Sequence, residues 1–396
     1  MHEIRTILAL GFSVRHIVCS GNRAGYEMYA ADAFGDVDTR RCAREYYPLD
    51  PFQLHDGLKD LKEVIRHVDG VIIGSGFESA DFSFLHEEDQ AKILGNAPAK
   101  TNEISNKAWF AARLDELSIP HPCTYTGSAL AELVEAGKRI PLRYPVVAKP
   151  AYGGGGTANF ICKNEQELIR GIKELPDFIY QDFIKGQHAS VSVLLSKRAA
   201  VAISVNEQLL GLDTLSAPGP FVYCGNIAPF VTQFADRLCE LAEDLTRELG
   251  LIGSNGVDFV VTDKGPVVIE VNARLQGSLD AVELSTGLNM ADAHVNAVRG
   301  ALPERVPPKR YAVKAIVFAQ HEGVVTSYLS LEGEGGIVDI PEKGRIMKQG
   351  EPVATAIGVG DTRANACANA MRNVEHIKQG FDSVHPRPES RRVNVT

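Results

Sequence analysis

The sequence predicts a mixed α/β and α+β protein of two or three domains. Three observations lead there. Residues 1 to about 100 alternate short apolar strands with helical segments, the pattern of a parallel α/β unit. Residues 145–162 read as strand, glycine-rich loop, strand. Residues 256–272 read as a hairpin whose second strand alternates apolar and polar side chains. A chain of 396 residues is also too long for one ordinary core.

Composition narrows the class. Hydrophobic content of 44% with 23% charged residues is that of a globular protein. The net charge of −9 leaves no basic patch, and the pair Arg391-Arg392 is too short to make one, so nucleic acid is not expected as a main partner. No apolar run approaches the length of a membrane span, and the first residues lack the charged-then-apolar pattern of a signal peptide. A cytoplasmic protein is expected. The cysteines (Cys19, Cys42, Cys123, Cys162, Cys224, Cys239 and Cys367) are odd in number, scattered and never CxxC. They read as reduced thiols rather than as a disulfide or zinc framework.

In chain order, Ile4–Leu10 and Tyr26–Ala31 read as strands around a helix within Ser13–Gly25, and Val71–Gly74 as a third strand. Asp32 stands where a dinucleotide fold places its ribose acid, but no GxGxxG precedes it, so NAD is not expected. Asn106–Leu117 has helical apolar spacing, with Ser105 as the expected N-cap and Lys107 in the first turn, where the helix dipole disfavours a cation unless an anion recruits it. Lys149 sits on the strand Pro145–Pro150. The run Tyr152-Gly153-Gly154-Gly155-Gly156-Thr157 follows, with backbone amides open to a polyphosphate. Asn164 and Glu167 form a capping box. Phe178–Phe183 reads as a strand and Ala189–Ser196 as its return. Thr232–Gly250 is an amphipathic helix, and Asn289–Ala301 a helix carrying a packed or exposed His294. Glu283 is a solvated residue or a substrate contact. Past Pro307-Pro308, strands are expected at Tyr311–Ala319, Gly336–Ile340 and Val353–Ile357, then a helix Thr362–Ile377 capped by Asp361 and a disordered last dozen residues. Lys348 reads as a surface turn residue.

The hairpin holds the most chemistry. Val267, Ile269 and Val271 are expected on one face, with Glu270, Asn272 and Arg274 on the other. A carboxylate, an amide and a guanidinium in line suit a Mg²⁺ and phosphate site. A solvated polar face also fits these residues taken alone. A three-residue turn centred on Lys264 would set Asp258 opposite Glu270, whereas a two-residue turn would move it to the other face.

Together these motifs resemble the ATP-grasp superfamily, over most of the chain and in the family's order. The resemblance implies an N-terminal Rossmann-like domain (1–100), a two-lobed ATP-grasp domain (101–305, its ATP lobe and flap at about 120–196) and a small C-terminal α+β region (306–396). It implies that Lys107 and Lys149 bind nucleotide phosphates, that Tyr152 and Gly153–Thr157 form a flap over them, and that Gln181, Asp182, Phe183 and Ile184 read the adenine. It assigns Asp258, Glu270 and Asn272 to Mg²⁺, two ions with Mn²⁺ as a substitute, and Arg274 with Lys149 to catalysis. Where the family often has a ribose-binding glutamate, Gly186-Gln187-His188 offers His188.

The implied activity is an ADP-forming ligase that joins small-molecule carboxylate and amine substrates through an acyl phosphate. The alternatives are an ATP-grasp kinase, a carboxylase working through carboxyphosphate, and a non-catalytic nucleotide-binding regulator. The phrases GFSVRHIVCSGNRAGYEMYAADAFGD and IPEKGRIMKQGEPVATAIGVGDTRANA resemble a group from archaea and C1-metabolising bacteria, implying a role in a C1 cofactor such as methanofuran or a pterin conjugate. A homodimer is the base-rate expectation for assembly.

Overall fold

The computed structural model describes residues 3–325 and 336–382. Its first sheet is parallel, with strands β1 (Thr6–Leu10), β2 (Glu27–Asp32), β3 (Glu45–Pro48) and β4 (Gly70–Ile73) in the order β3-β2-β1-β4. The edge strand β3, EYYP, was not expected, because it has no apolar run to mark it. Asp32 binds the fold itself: its buried carboxylate accepts the amides of Val14, Phe34 and Gly35.

The expectation of reduced thiols throughout is wrong. Cys19 and Cys42 form a disulfide. Cys19 lies on the helix Arg15–Arg23 and Cys42 ends the helix Val37–Cys42. The turn of the chain through β2 brings their Cα atoms to 5.0 Å although they are 23 residues apart. Spacing rules see local pairs such as CxxC and miss a pair made by packing.

A second sheet holds β5 (Thr124–Thr126), β6 (Val146–Pro150), β7 (Phe160–Cys162) and β8 (Phe178–Asp182), all antiparallel in the order β5-β8-β6-β7. Tyr180, Leu168 and Ile172 fill its core. The capping box forms: Asn164 Oδ1 accepts Glu167 N at 3.0 Å and Glu167 Oε2 accepts Lys163 N at 2.7 Å.

The third sheet has eight strands. They are β9 (Gln187–Leu195), β10 (Ala200–Leu210), β11 (Tyr223–Ala228), β12 (Gly253–Thr262), β13 (Gly265–Asn272), β14 (Tyr311–Phe318), β16 (Ile337–Val338) and β18 (Pro352–Gly360), in the order β13-β12-β9-β10-β11-β14-β18-β16. The short β15 (Gly323–Val324) and β17 (Ile346–Met347) pair separately. Strand β9 is not the return partner of β8. It pairs with β10 and β12, so residues 183–186 cross from one sheet to the other. The helix Ala235–Glu248 lays Leu238, Leu241 and Leu245 on this sheet, and Gly250 follows it at φ +66°.

The hairpin is built differently from the expectation. Its turn has two residues, Asp263-Lys264, closed by the pair Thr262 and Gly265. A regular register would then face Glu270 into the core. Instead a β-bulge between Asp258 and Phe259 on one strand, and at Ile269 on the other, shifts the pairing so that Asp258 still opposes Glu270. The core side chains are therefore Val268 and Val271, three apart, not Val267, Ile269 and Val271.

Two caps also differ. Asn106, not Ser105, caps the helix Lys107–Glu116 by accepting Ala108 N and Trp109 N; Ser105 Oγ donates to Thr101 O instead. Thr362, not Asp361, accepts Asn365 N at the head of the helix Arg363–Asp382. The helix Leu279–Thr286 was unexpected. The expected disordered tail lies outside the described residues. Among those residues, no helix is long and apolar enough to cross a membrane.

The bulge makes a stability prediction. Val268 is fully buried and Val267 is half-buried. Val268→Ala should cost about 2 kcal/mol and Val267→Ala less than about 1 kcal/mol in denaturant unfolding. Equal or reversed costs would mean that the hairpin has the regular register.

Candidate active site

One cavity of about 1020 Å³ is walled by the second and third sheets and by segments that leave the strands of the first. Its floor carries the carboxylate pair. Asn272 Nδ2 donates to Asp258 Oδ2 at 3.1 Å, the Gln208 side chain lies close enough to favour the Asp258 carboxylate, and the buried Asp258 Oδ1 makes no full hydrogen bond. Burial, then the Glu270 charge, raises the Asp258 carboxyl above its ordinary range. Two carboxylates and an amide are hard oxygen donors, and a carboxylate oxygen with no full hydrogen bond beside a second acid is a position a cation would relieve. The donor set fits Mg²⁺ completed by substrate phosphates. Among the described residues, no group of three or more His, Cys, Asp or Glu side chains is placed to hold a metal ion, so the carboxylates here number two and Asn272 completes the set.

Both lysines reach this pair. Lys107 Nζ lies 4.0 Å from Glu270 Oε2 and donates to Gly153 O at 2.5 Å. Lys149 projects from β6 into the cavity. Burial lowers its pKa against the pull of Glu270, and Lys107 adds to the lowering. Such an ammonium gains from an anionic ligand.

The glycine loop closes the top. Gly153, Gly155 and Gly156 have φ of +102°, +73° and +72°, a region that disfavours side chains. A Cβ on Gly156 would sit 2.0 Å from Phe221 O. Tyr223 N donates to Gly155 O at 3.0 Å, and Asn106 Nδ2 to Tyr152 Oη at 3.0 Å. The loop is thereby tied to the eight-stranded sheet on one side and to the Lys107 helix on the other. Thr157 lines the same cavity.

The crossing segment forms another edge. Gln181 Nε2 donates to Thr124 Oγ1 at 2.8 Å, which leaves its oxygen as an acceptor. The Asp182 carboxylate accepts Arg143 N at 2.7 Å and so holds a neighbouring loop. Phe183, Ile184 and His188 line the cavity. Burial, then Lys149, lowers the His188 pKa, so the imidazole is neutral at neutral pH.

Arg274 is held in place by three of its five N–H donors. Its Nε donates to Glu78 Oε1 at 2.7 Å, one terminal nitrogen to Asn272 Oδ1 at 3.1 Å and the other to Leu275 O at 3.2 Å. Burial alone would raise the Glu78 carboxyl, but the arginine holds it below its usual range. Glu78 escaped the sequence reading. It lies 196 residues from Arg274, in a short polar loop with no motif.

Lys314, Asp339 and Arg345 also escaped it, and they bring the C-terminal part of the chain to the cavity. Glu283, expected as a solvated residue or a substrate contact, and His294, expected as packed or exposed, are both bound within the fold. Glu283 accepts Met290 N at 2.7 Å and bonds to Ser20 and Arg23. His294 is buried, accepts Ser254 N at 2.8 Å and faces Leu94 O.

Residues 104–278 match the family model of an ATP-grasp domain. The chain is 26% identical over 362 residues to an uncharacterised protein of Methanocaldococcus jannaschii, covering 88% of this chain and 87% of that one. It is 27% identical over 281 residues to the carbamoyl phosphate synthase large chain of Pyrococcus furiosus, covering 66% of this chain but only 25% of that protein. In fold it is similar to the biotin carboxylase domain of Hydrogenobacter thermophilus 2-oxoglutarate carboxylase, at TM-score 0.72 and 20% identity over 91% of this chain and 87% of that one. It is also similar to the L-amino acid ligase of Bacillus licheniformis, at TM-score 0.70 and 19% identity over 96% and 98%.

The raised Asp258 carboxyl sets a pH dependence. Without a divalent cation the folded protein keeps a proton there that the unfolded chain gives up near pH 4, so stability should fall as pH rises above about 4. Thermal melts should show this slope in chelator, a smaller one with millimolar Mg²⁺, and a smaller one in Asp258→Asn. A slope unchanged by both Mg²⁺ and the substitution would refute the reading of the pair.

Proposed function

We infer that this chain, which carries an ATP-grasp domain over residues 104–278, is an ADP-forming ligase that joins a carboxylate to an amine through an acyl phosphate. One observation supports this above others. Two lysines, a glycine loop, an acid pair with an oxygen that makes no full hydrogen bond and an arginine fixed by three bonds meet in a single cavity. Each answers a need of phosphoryl transfer, where catalysis is mainly positioning and charge stabilisation.

Lys107, Lys149 and the Gly153–Gly156 amides would hold the phosphates, and residues 181–184 the base, with neutral His188 bonding the ribose. Asp258, Glu270 and Asn272 would hold Mg²⁺, which when bound neutralises charge on the transferring phosphoryl group. An oxygen of the substrate carboxylate attacks the γ-phosphorus, and the bond to the β-bridging oxygen breaks, releasing ADP. Arg274, set by Glu78 and Asn272, faces the acyl phosphate that results. The loop over the cavity excludes the water that would hydrolyse it. The amine, having lost a proton from its ammonium form, attacks the acyl carbon with its nitrogen lone pair, the carbon–oxygen bond to the phosphate breaks, and inorganic phosphate leaves. The narrower reading, assembly of a C1 cofactor, rests on the resemblance of the two long phrases alone.

Isotope transfer tests the reaction class. A panel of ¹⁸O-carboxylates and amines is incubated with MgATP, and ¹⁸O is expected in the released phosphate. ADP release with a stable phosphorylated product and unlabelled phosphate would instead identify a kinase. Glu270→Gln should lower ADP release about a hundredfold or more while its circular dichroism stays that of the folded protein. Full release by that variant would remove Glu270 from the site.

A further inference from the structure

The far wall of the cavity holds an acid that none of these roles uses. Asp36 immediately precedes the helix Val37–Cys42, lines the cavity and is 4% exposed. A residue in that place ordinarily accepts a first-turn amide, but the Asp36 side chain makes no such bond. Among the described residues its nearest cation is Arg345, at 3.9 Å, beyond hydrogen-bond reach. That guanidinium is engaged elsewhere, donating to Phe34 O at 2.8 Å and lying over the Phe34 ring.

The neighbouring acids are occupied. Asp32 accepts three amides, Asp38 accepts Asp339 N and Ile340 N, and Asp339 pairs with Arg15 at 2.8 Å. Burial, then the charges of Asp339, Asp38 and Asp32, disfavours a bare Asp36 carboxylate. Such a group is stabilised by a cation that enters from the cavity. A bare metal ion would want several free oxygens, and here a single carboxylate lacks a hydrogen bond. Beside it, Phe34 packs edge to face on Phe12 at 5.1 Å, and Phe12 is 39% exposed. One negative charge against an aromatic wall suits an ammonium on an apolar body.

The wall also adjoins the reacting end. Phe12 N donates to Ser75 O at 2.6 Å, and Gly76 N to Glu78 Oε2 at 2.7 Å. Glu78 in turn holds Arg274.

We propose that Asp36, with Phe12 and Phe34, recognises the ammonium group of the second substrate, which is a cationic primary amine with an apolar body. The proposal rests on the ligase reading, since it supplies the amine with a site. Ligand-observed NMR on the full chain with MgADP tests it, using hexylamine and its neutral counterpart hexan-1-ol as probes. Wild type should bind the amine about tenfold more tightly than the alcohol. Asp36→Asn should lose about tenfold in amine affinity, as expected for a lost charge-assisted hydrogen bond, and change alcohol binding little. Phe34→Leu should weaken both probes. Unchanged MgADP binding by each variant reports an intact fold; should Asp36→Asn lose it, the wild-type ratio decides. Equal binding of both probes by wild type, or undiminished amine binding by a folded Asp36→Asn, overturns the proposal. Because no turnover is needed, that result leaves the isotope test standing, and amine-selective binding without ¹⁸O transfer rejects the ligase reading alone.

Discussion

Two carboxylates face each other across neighbouring strands, and the cavity is arranged around them. Asp258 and Glu270 are like charges at directly paired positions, which is unfavourable in a sheet. Their surroundings supply cations: Lys107 at 4.0 Å from Glu270, Lys149 on the facing sheet, and Arg274 joined to the pair through Asn272. Yet one oxygen of Asp258 makes no full hydrogen bond. A balanced structural salt-bridge cluster would have no such atom. The imbalance is what a binding site keeps when its ligand contributes part of the charge.

The walls are held in place by polar contacts between distant parts of the chain. Glu78 on the first sheet's loop grips Arg274. Arg15 makes a two-pronged pair with Asp280 at 2.6 and 2.8 Å, and Lys314 joins Asp280 at 2.9 Å. All three side chains are buried, so removing one charge would leave its partners uncompensated, which costs far more than losing a surface pair. These contacts set the N-terminal sheet, the hairpin and the C-terminal strands around one space. They explain why Phe12, Asp36, Lys314 and Arg345, so far apart in sequence, share its lining.

Much of the floor and lid was legible along the chain. The Lys107 helix, Lys149 before a glycine run, and Glu270 and Asn272 on one strand are local patterns, and all of these residues line one cavity. The pairing of Asp258 with Glu270 was also expected, but for the wrong reason. A three-residue turn was to provide it, whereas the turn has two residues and the bulge at Ile269 restores the register. Turn length and a bulge shift register in the same way, and apolar alternation cannot separate them in a run as uniformly apolar as VVIEV.

Local sequence determined most of the strands and helices, the glycine loop with its left-handed φ angles, and the order of the lysine, glycine and carboxylate motifs. These depend on periodicity and on residues within a few positions of each other. Tertiary structure alone decided the Cys19–Cys42 bond, the crossing of residues 183–186 between sheets, the Glu78 grip on Arg274 and the exposure of Asp36 to the cavity. Each of these joins groups separated by a fold-back or by another sheet. A single acid, arginine or cysteine has no period, so nothing along the chain marks its partner until packing brings the two together.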